Sequence, residues 1–144
     1  MPIIRIAKLE RAQIRANPQI LFVFGDNLAR KGGAPNKQGW SNPHAGQAAA
    51  CRGEPNCVGI PTKRFPAMTS EAFFANEDLP EVKPIIQTEF RRLAAHLKAG
   101  GIVAIPAAGV GTDRAQLAER APNIRHFIDA CFEHLDVIAA RQRT

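Results

Sequence analysis

Tyrosine is missing from this 144-residue chain, and tryptophan occurs once, as Trp40. Eight phenylalanines make up the rest of the aromatic content, so platforms for stacking bases are scarce. The Lys/Arg-rich run of a nucleic-acid-binding arm is missing too. No apolar stretch approaches the roughly 20 residues that span a bilayer. The opening MPIIRIAKLERAQ lacks the long apolar core and small-residue cleavage site of a secretory leader. A cytoplasmic protein with no membrane association is therefore expected. The three cysteines, Cys51, Cys57 and Cys131, form no CxxC pair, and Cys51 and Cys57 with His44 match no zinc spacing. Reduced, buried thiols and no metal or cofactor are the expectation. There is no GxxxxGK[ST] loop, no HExxH helix, no Ser-His-Asp order and no close carboxylate pair. If catalysis occurs, no nucleophile announces it.

What is present is a basic surface. The net charge is +6 and the isoelectric point near 9.8, which favours anionic partners. The positive charges (Arg30, Lys31, Lys37, Arg52, Lys63, Arg64, Arg91, Arg92, Arg114, Arg120 and Arg125 among them) are dispersed along the chain. A phosphate-bearing small molecule fits that distribution better than a DNA groove. With 45% hydrophobic and 22% charged residues, no repeats and no low-complexity segment, residues 1–144 read as one globular domain.

Along the chain, short apolar runs alternate with helical patterns. Strands are expected at residues 3–8, 20–25, 57–61 and 101–106, each too short and too apolar for a helix. Residues 9–17 suggest a short helix or turn, and the Ala-rich residues 44–52 a helix. Residues 79–99 form the clearest helix: Asp78 is its expected N-cap, Pro80 lies near its first position, and Gly100-Gly101 ends it. Its inward stripe is Val82, Ile85, Ile86, Phe90, Leu93, Ala94 and Leu97. Residues 64–78 look irregular and 115–121 a polar turn. A last helix over 122–138, opened by Pro122, turns Ile124, Phe127, Ile128, Cys131 and Leu135 inward. The alternation predicts a three-layer α/β/α domain of the α/β class with a largely parallel sheet.

Chemistry concentrates where two of these strands end. The stretch LFVFGDNLARKGG (Leu21 to Gly33) is a buried strand breaking into Gly-Asp-Asn and then a glycine pair. The stretch IVAIPAAGVGTD (Ile102 to Asp113) repeats the design. In open α/β sheets, ligands occupy the crevice outside the carboxyl ends of strands. Asp26 and Asn27 offer acceptors and donors there, or bond their own backbone in an Asx-turn. The backbone N–H groups of Gly109, Val110, Gly111 and Thr112 can form an anion-binding concavity, or a plain tight turn. Thr62 and Lys63 stand at a third strand end, where Lys63 could neutralise a phosphate. Asp113 and His44 are the candidate acid/base groups. The long segment 26–43, rich in Gly, Pro, Asn and Ser, is of the kind that usually serves function.

These loops resemble those of the macrodomain, an ADP-ribose-binding α/β/α module. FVFGDNLARKGGAP followed by HAGQAAACRGE is similar to its early strand, glycine loop and helix, and VAIPAAGVGTD to its late phosphate loop. The resemblance spans roughly residues 20–135. It implies a macrodomain-like fold in which Asn27 faces the distal ribose. Gly32 and Gly33 would form the first phosphate loop, with Gln47 following, and Gly109 to Thr112 the second. It further implies binding of ADP-ribose or a related nucleotide, with hydrolysis of ADP-ribose from a modified protein or nucleic acid as the candidate reaction. Alternatives are a non-catalytic module that sequesters a nucleotide signal, or a nucleic-acid-binding accessory protein. The string FGDN…GQA…RGEPN…GIPTK also resembles a family of small uncharacterised phage and bacterial proteins.

Overall fold

Apolar runs of four to eight residues supply four strands: β1 (Ile3–Ile6), β2 (Ile20–Asn27), β3 (Cys57–Lys63) and β4 (Ile102–Pro106). They are seen in a computed structural model that describes residues 2–30, 48–67, 69–111 and 115–142. The strands form one sheet in the order β1-β4-β2-β3, and each neighbouring pair is parallel. Parallel neighbours need a crossover along a sheet face. The described helices α1 (Arg11–Ala16), α2 (Ala48–Cys51) and α3 (Leu79–Lys98) lie on these connections, and α4 (Leu117–Arg120) and α5 (Pro122–Arg141) follow β4. The architecture is the expected three-layer α/β/α. Among the described residues, no helix is long and apolar enough to cross a membrane.

Strand alternation sorts side chains between the two helical layers. From β2, Leu21 and Val23 join the cluster built by α3 and α5, with Val58, Ile60, Val103 and Ile105 from the neighbouring strands. The intervening Ile20, Phe22 and Phe24 join Ile14 of α1 and Cys51 of α2 on the other face. The α3–α5 side is the heavier layer. Ile86, Leu93, Leu97, Ile124, Ile128 and Leu135 are all fully buried there, each worth about 1.5–3 kcal/mol in burial. The thinner layer is tied by polar groups. Asn56 is buried, and its Nδ2 lies 3.0, 3.0 and 3.2 Å from the carbonyls of Ile14, Asn17 and Ile20, pinning the end of α1 to the start of β2.

Several boundaries differ from the sequence expectation. Strand β2 runs on through Asp26 and Asn27, because they pair with Pro61 and Lys63 of β3 across a local bulge. Asp26 and Asn27 are thus strand residues rather than the start of a loop. Strand β3 likewise continues past Pro61, which is tolerated because β3 lies at the sheet edge. The polar turn at 115–121 contains the short helix α4, held down by fully buried Leu117. Helix α5 outlasts its predicted end, since Ile138 and Ala139 are buried as well. Asp78 stands at the N-cap of α3 as expected, but its side chain makes no capping bond to the helix. Its carboxylate accepts the Ala75 N–H at 2.8 Å and the Arg64 guanidinium at 2.7 Å, closing a 3-10 turn (Asn76–Asp78) that leads into the helix. The C-terminus of α3 behaves as expected: Gly100 adopts φ +89°, and the Gly101 N–H donates to the His96 carbonyl at 2.8 Å. The part of the Ala-rich helix at 44–47 lies outside the described residues.

Candidate functional site

The sheet opens at its carboxyl edge. Strands β2 and β4 pair only through Ile20↔Ile102, Leu21↔Val103 and Phe22↔Ala104. Beyond that point β2 continues along β3 to Asn27, while β4 continues along β1 to Pro106. The next described helix after β2 is α2, in the layer of Phe22 and Phe24; after β4 the chain leads to α4 and α5, in the opposite layer. Two central strands whose connections leave toward opposite faces define a topological switch point, the place where open α/β sheets bind ligands.

One wall of this crevice is built on charge. Asp26 is buried, and Oδ1 accepts the Asn27 N–H at 2.8 Å and Arg52 Nη2 at 2.5 Å, while Oδ2 receives Arg30 Nη1 at 3.4 Å. Arg52 arrives from the turn after α2. Arg30 sits at φ +58°, a backbone region uncommon outside glycine. From there it reaches back over the sheet edge, donating to the Gly59 carbonyl at 2.7 Å and to Glu89 of α3 at 3.1 Å. Gly59 is required by this arrangement. A Cβ on it would stand 2.8 Å from Asp26 Oδ2 and 2.9 Å from the Phe24 ring. The Asp26 carboxylate bonds the N–H of the next residue, not the one two residues on that an Asx-turn uses. The result is a rigid Asp26–Asn27 peptide at the crevice, with Asn27 itself buried.

The opposite wall is built on glycine. After β4, Gly109 and Gly111 take φ +82° and +75° around buried Val110. The Gly111 carbonyl accepts the Leu117 N–H at 3.1 Å, anchoring the loop on α4. A Cβ at Gly111 would lie 2.4 Å from Leu117 Cδ1 and 3.2 Å from Thr62 Cγ2. Thr62 therefore touches the glycine loop with its methyl, while its hydroxyl donates to the Asp26 carbonyl at 3.0 Å. A second bridge joins the walls through buried Phe73. Lys63 Nζ lies 4.9 Å from its ring centre and the Arg120 guanidinium of α4 3.9 Å from it. Lys63 is buried, and its ammonium also donates to the Ala67 carbonyl.

Of the sequence candidates, the structure thus gathers Asp26, Asn27, Thr62, Lys63, Gly109, Val110 and Gly111 at one end of the sheet. Gly32, Gly33, His44, Gln47, Thr112 and Asp113 lie outside the described residues. Sequence reasoning gave no site role to Arg30, Arg52, Gly59 and Arg120, and read Phe73 as a residue available to cover a core or a ligand. Of the first four, only Gly59 left a signal, since a glycine inside a strand often marks close approach by a neighbour. Among the described residues, no group of three or more His, Cys, Asp or Glu is arranged to hold a metal ion.

The class of protein defined here is a parallel three-layer α/β domain with a switch-point crevice, one wall charge-locked and the other glycine-built. A family profile matches residues 4–131, and the chain belongs to that family, a family of unknown function designated DUF7831. No curated protein and no solved structure matches it.

Proposed function

We propose that the crevice between β2 and β4 binds a nucleotide of the ADP-ribose class, with hydrolysis of ADP-ribose from a modified protein or nucleic acid as its candidate reaction. The observation that supports this reading is the parting of β2 and β4 after Phe22 and Ala104, with a positive-φ Gly109–Gly111 loop beside the opening. Glycines that need positive φ bring backbone close to a ligand without a side chain intervening; the Gly109 N–H is taken by the Pro106 carbonyl at 2.9 Å, and the N–H groups of Val110 and Gly111 are the ones that suit a phosphate. Asn27, on the locked peptide beside Asp26, is the proposed ribose contact. The overall positive charge favours an anionic ligand. Asp113 and His44 remain the proposed acid/base pair.

The test is calorimetry and thermal shift with ADP-ribose on folded protein. A ligand bound only by the native state raises the melting temperature, by the equivalent of about 2.7 kcal/mol at a hundredfold excess over Kd. Asn27→Ala should weaken binding while the domain stays folded; Gly111→Glu should weaken it further and also cost stability, because a Cβ there meets Leu117 and Thr62. Absence of both heat and thermal shift with well-folded wild-type protein would end this reading.

A further inference from the structure

The turn between α2 and β3 carries chemistry of another kind. Cys51 ends α2 and is buried in one cluster with Phe22 and Phe24; Cys57 opens β3 and is half-buried beside it. Two successive turns fold the intervening residues back, the Glu54 N–H donating to the Cys51 carbonyl at 3.0 Å and the Cys57 N–H to the Glu54 carbonyl at 3.2 Å. The turn thus brings both cysteines into one apolar cluster. The surrounding turn is clamped. Glu54 accepts from Arg11 Nη1 and Arg15 Nε, both at 2.7 Å. Arg11 Nη2 donates to the Ala49 and Arg52 carbonyls, and Arg92 Nη2 to the Pro55 carbonyl.

We propose that Cys51 and Cys57 form a reversible dithiol–disulfide site, in which a hydroperoxide oxidises Cys57 and Cys51 resolves the product into an intramolecular disulfide. In the first step the Cys57 thiolate attacks the terminal peroxide oxygen; the O–O bond breaks, Cys57 becomes a sulfenic acid, and an alkoxide (hydroxide, for hydrogen peroxide) leaves and is protonated by water. In the second step Cys51 sulfur attacks the sulfenic sulfur, forming the S–S bond. The departing hydroxyl takes the Cys51 proton and leaves as water. A dithiol reductant restores both thiols.

The surroundings suit these roles. The hydrogen bond from Cys51 holds the Cys57 thiol below its ordinary pKa against burial and Glu54, with Arg11 and Arg92 assisting. The same hydrogen bond and burial push Cys51 up, as befits the partner that keeps its proton. Cys131 has no such partner, and burial pushes its thiol up. Closing the bond requires the sulfurs to approach to about 2.05 Å, within a turn that already packs both residues into one cluster. Arg52, which grips Asp26, is the next residue after Cys51, so the bond forms next to the base of the charge-locked wall.

The experiment treats the folded chain with graded hydrogen peroxide, blocks remaining thiols with maleimide under denaturing conditions, and maps peptides by mass spectrometry. The expected product is a cross-linked Cys51–Cys57 peptide, with Cys131 still labelled and both thiols recovered after dithiothreitol. Cys57→Ser should abolish the cross-link and Cys131→Ser should leave it intact; the second variant keeps the test sound if the first folds poorly. Oxidation of Cys131 before the pair, or Cys57 running to sulfinic acid without a cross-link, overturns the proposal.

Discussion

The two walls of the crevice reach rigidity by opposite means. The β2–β3 wall is fixed from below by side chains: a buried carboxylate between two guanidinium groups, one of which also straps the edge strand to α3. The β4–α4 wall has no such ion network among its described residues; two glycines at positive φ let the backbone press against Leu117 and Thr62. A side-chain lock is sensitive to charge and to loss of one partner. A glycine turn is sensitive to any added atom. Phe73, between Lys63 and Arg120, joins the two walls.

This contrast can be broken in graded ways. The largest effect is expected from Phe73→Ala, which removes a buried ring that both walls share. Roughly 3–5 kcal/mol should be lost in urea unfolding. Asp26→Ala should cost about 3 kcal/mol, because it leaves Arg52 without its acid while Arg52 Nε is already buried without a partner. A cost near zero would show that the charge lock is not what steadies this wall. Gly111→Ala should cost about 2 kcal/mol through strained φ and overpacking. Compared with Asp26→Ala, it should harm nucleotide binding more than its smaller stability cost suggests; calorimetry and denaturant melts on both variants separate the two.

The smallest effect concerns pH. The Arg15 hydrogen bond, with Arg11 adding to it, holds the Glu54 carboxyl below its ordinary value of 4.5 despite the opposing desolvation. A depressed folded pKa contributes stability above the unfolded value that is lost as pH falls through the folded one. Wild type should therefore exceed Glu54→Gln in stability at neutral pH, with the gap closing below pH 4.5. A gap that stays constant through acid titration would remove Glu54 from the charge-anchored side.

Much of the architecture was legible in the chain because burial writes a period into sequence. The stripe Val82, Ile86, Phe90, Leu93 and Leu97 repeats at helical spacing, and those five positions are buried as expected. The runs at 20–25 and 101–106 announce strands, and alternating strands and helices imply parallel pairing. Where β1, β2 and β3 stopped was not legible, though β4 ends at Pro106 as expected. Asp26 and Asn27 are poor strand formers by composition, and only pairing with β3 extends β2 through them. The short helix α4 escaped notice because a single buried side chain, Leu117, holds it in place.

The sequence by itself determined that this is an α/β domain with a basic surface and two glycine-bearing strand ends, because hydrophobic period, turn chemistry and net charge are local properties. Tertiary structure decided the rest. Strand order makes β2 and β4 neighbours and then separates them. Arg30 and Arg52 meet on Asp26 from positions 4 and 26 residues away along the chain. Gly59 must be glycine only because that carboxylate and Phe24 occupy the space its Cβ would need. Contacts between residues distant in sequence leave no periodic trace, so the walls of the crevice exist only once the sheet has formed.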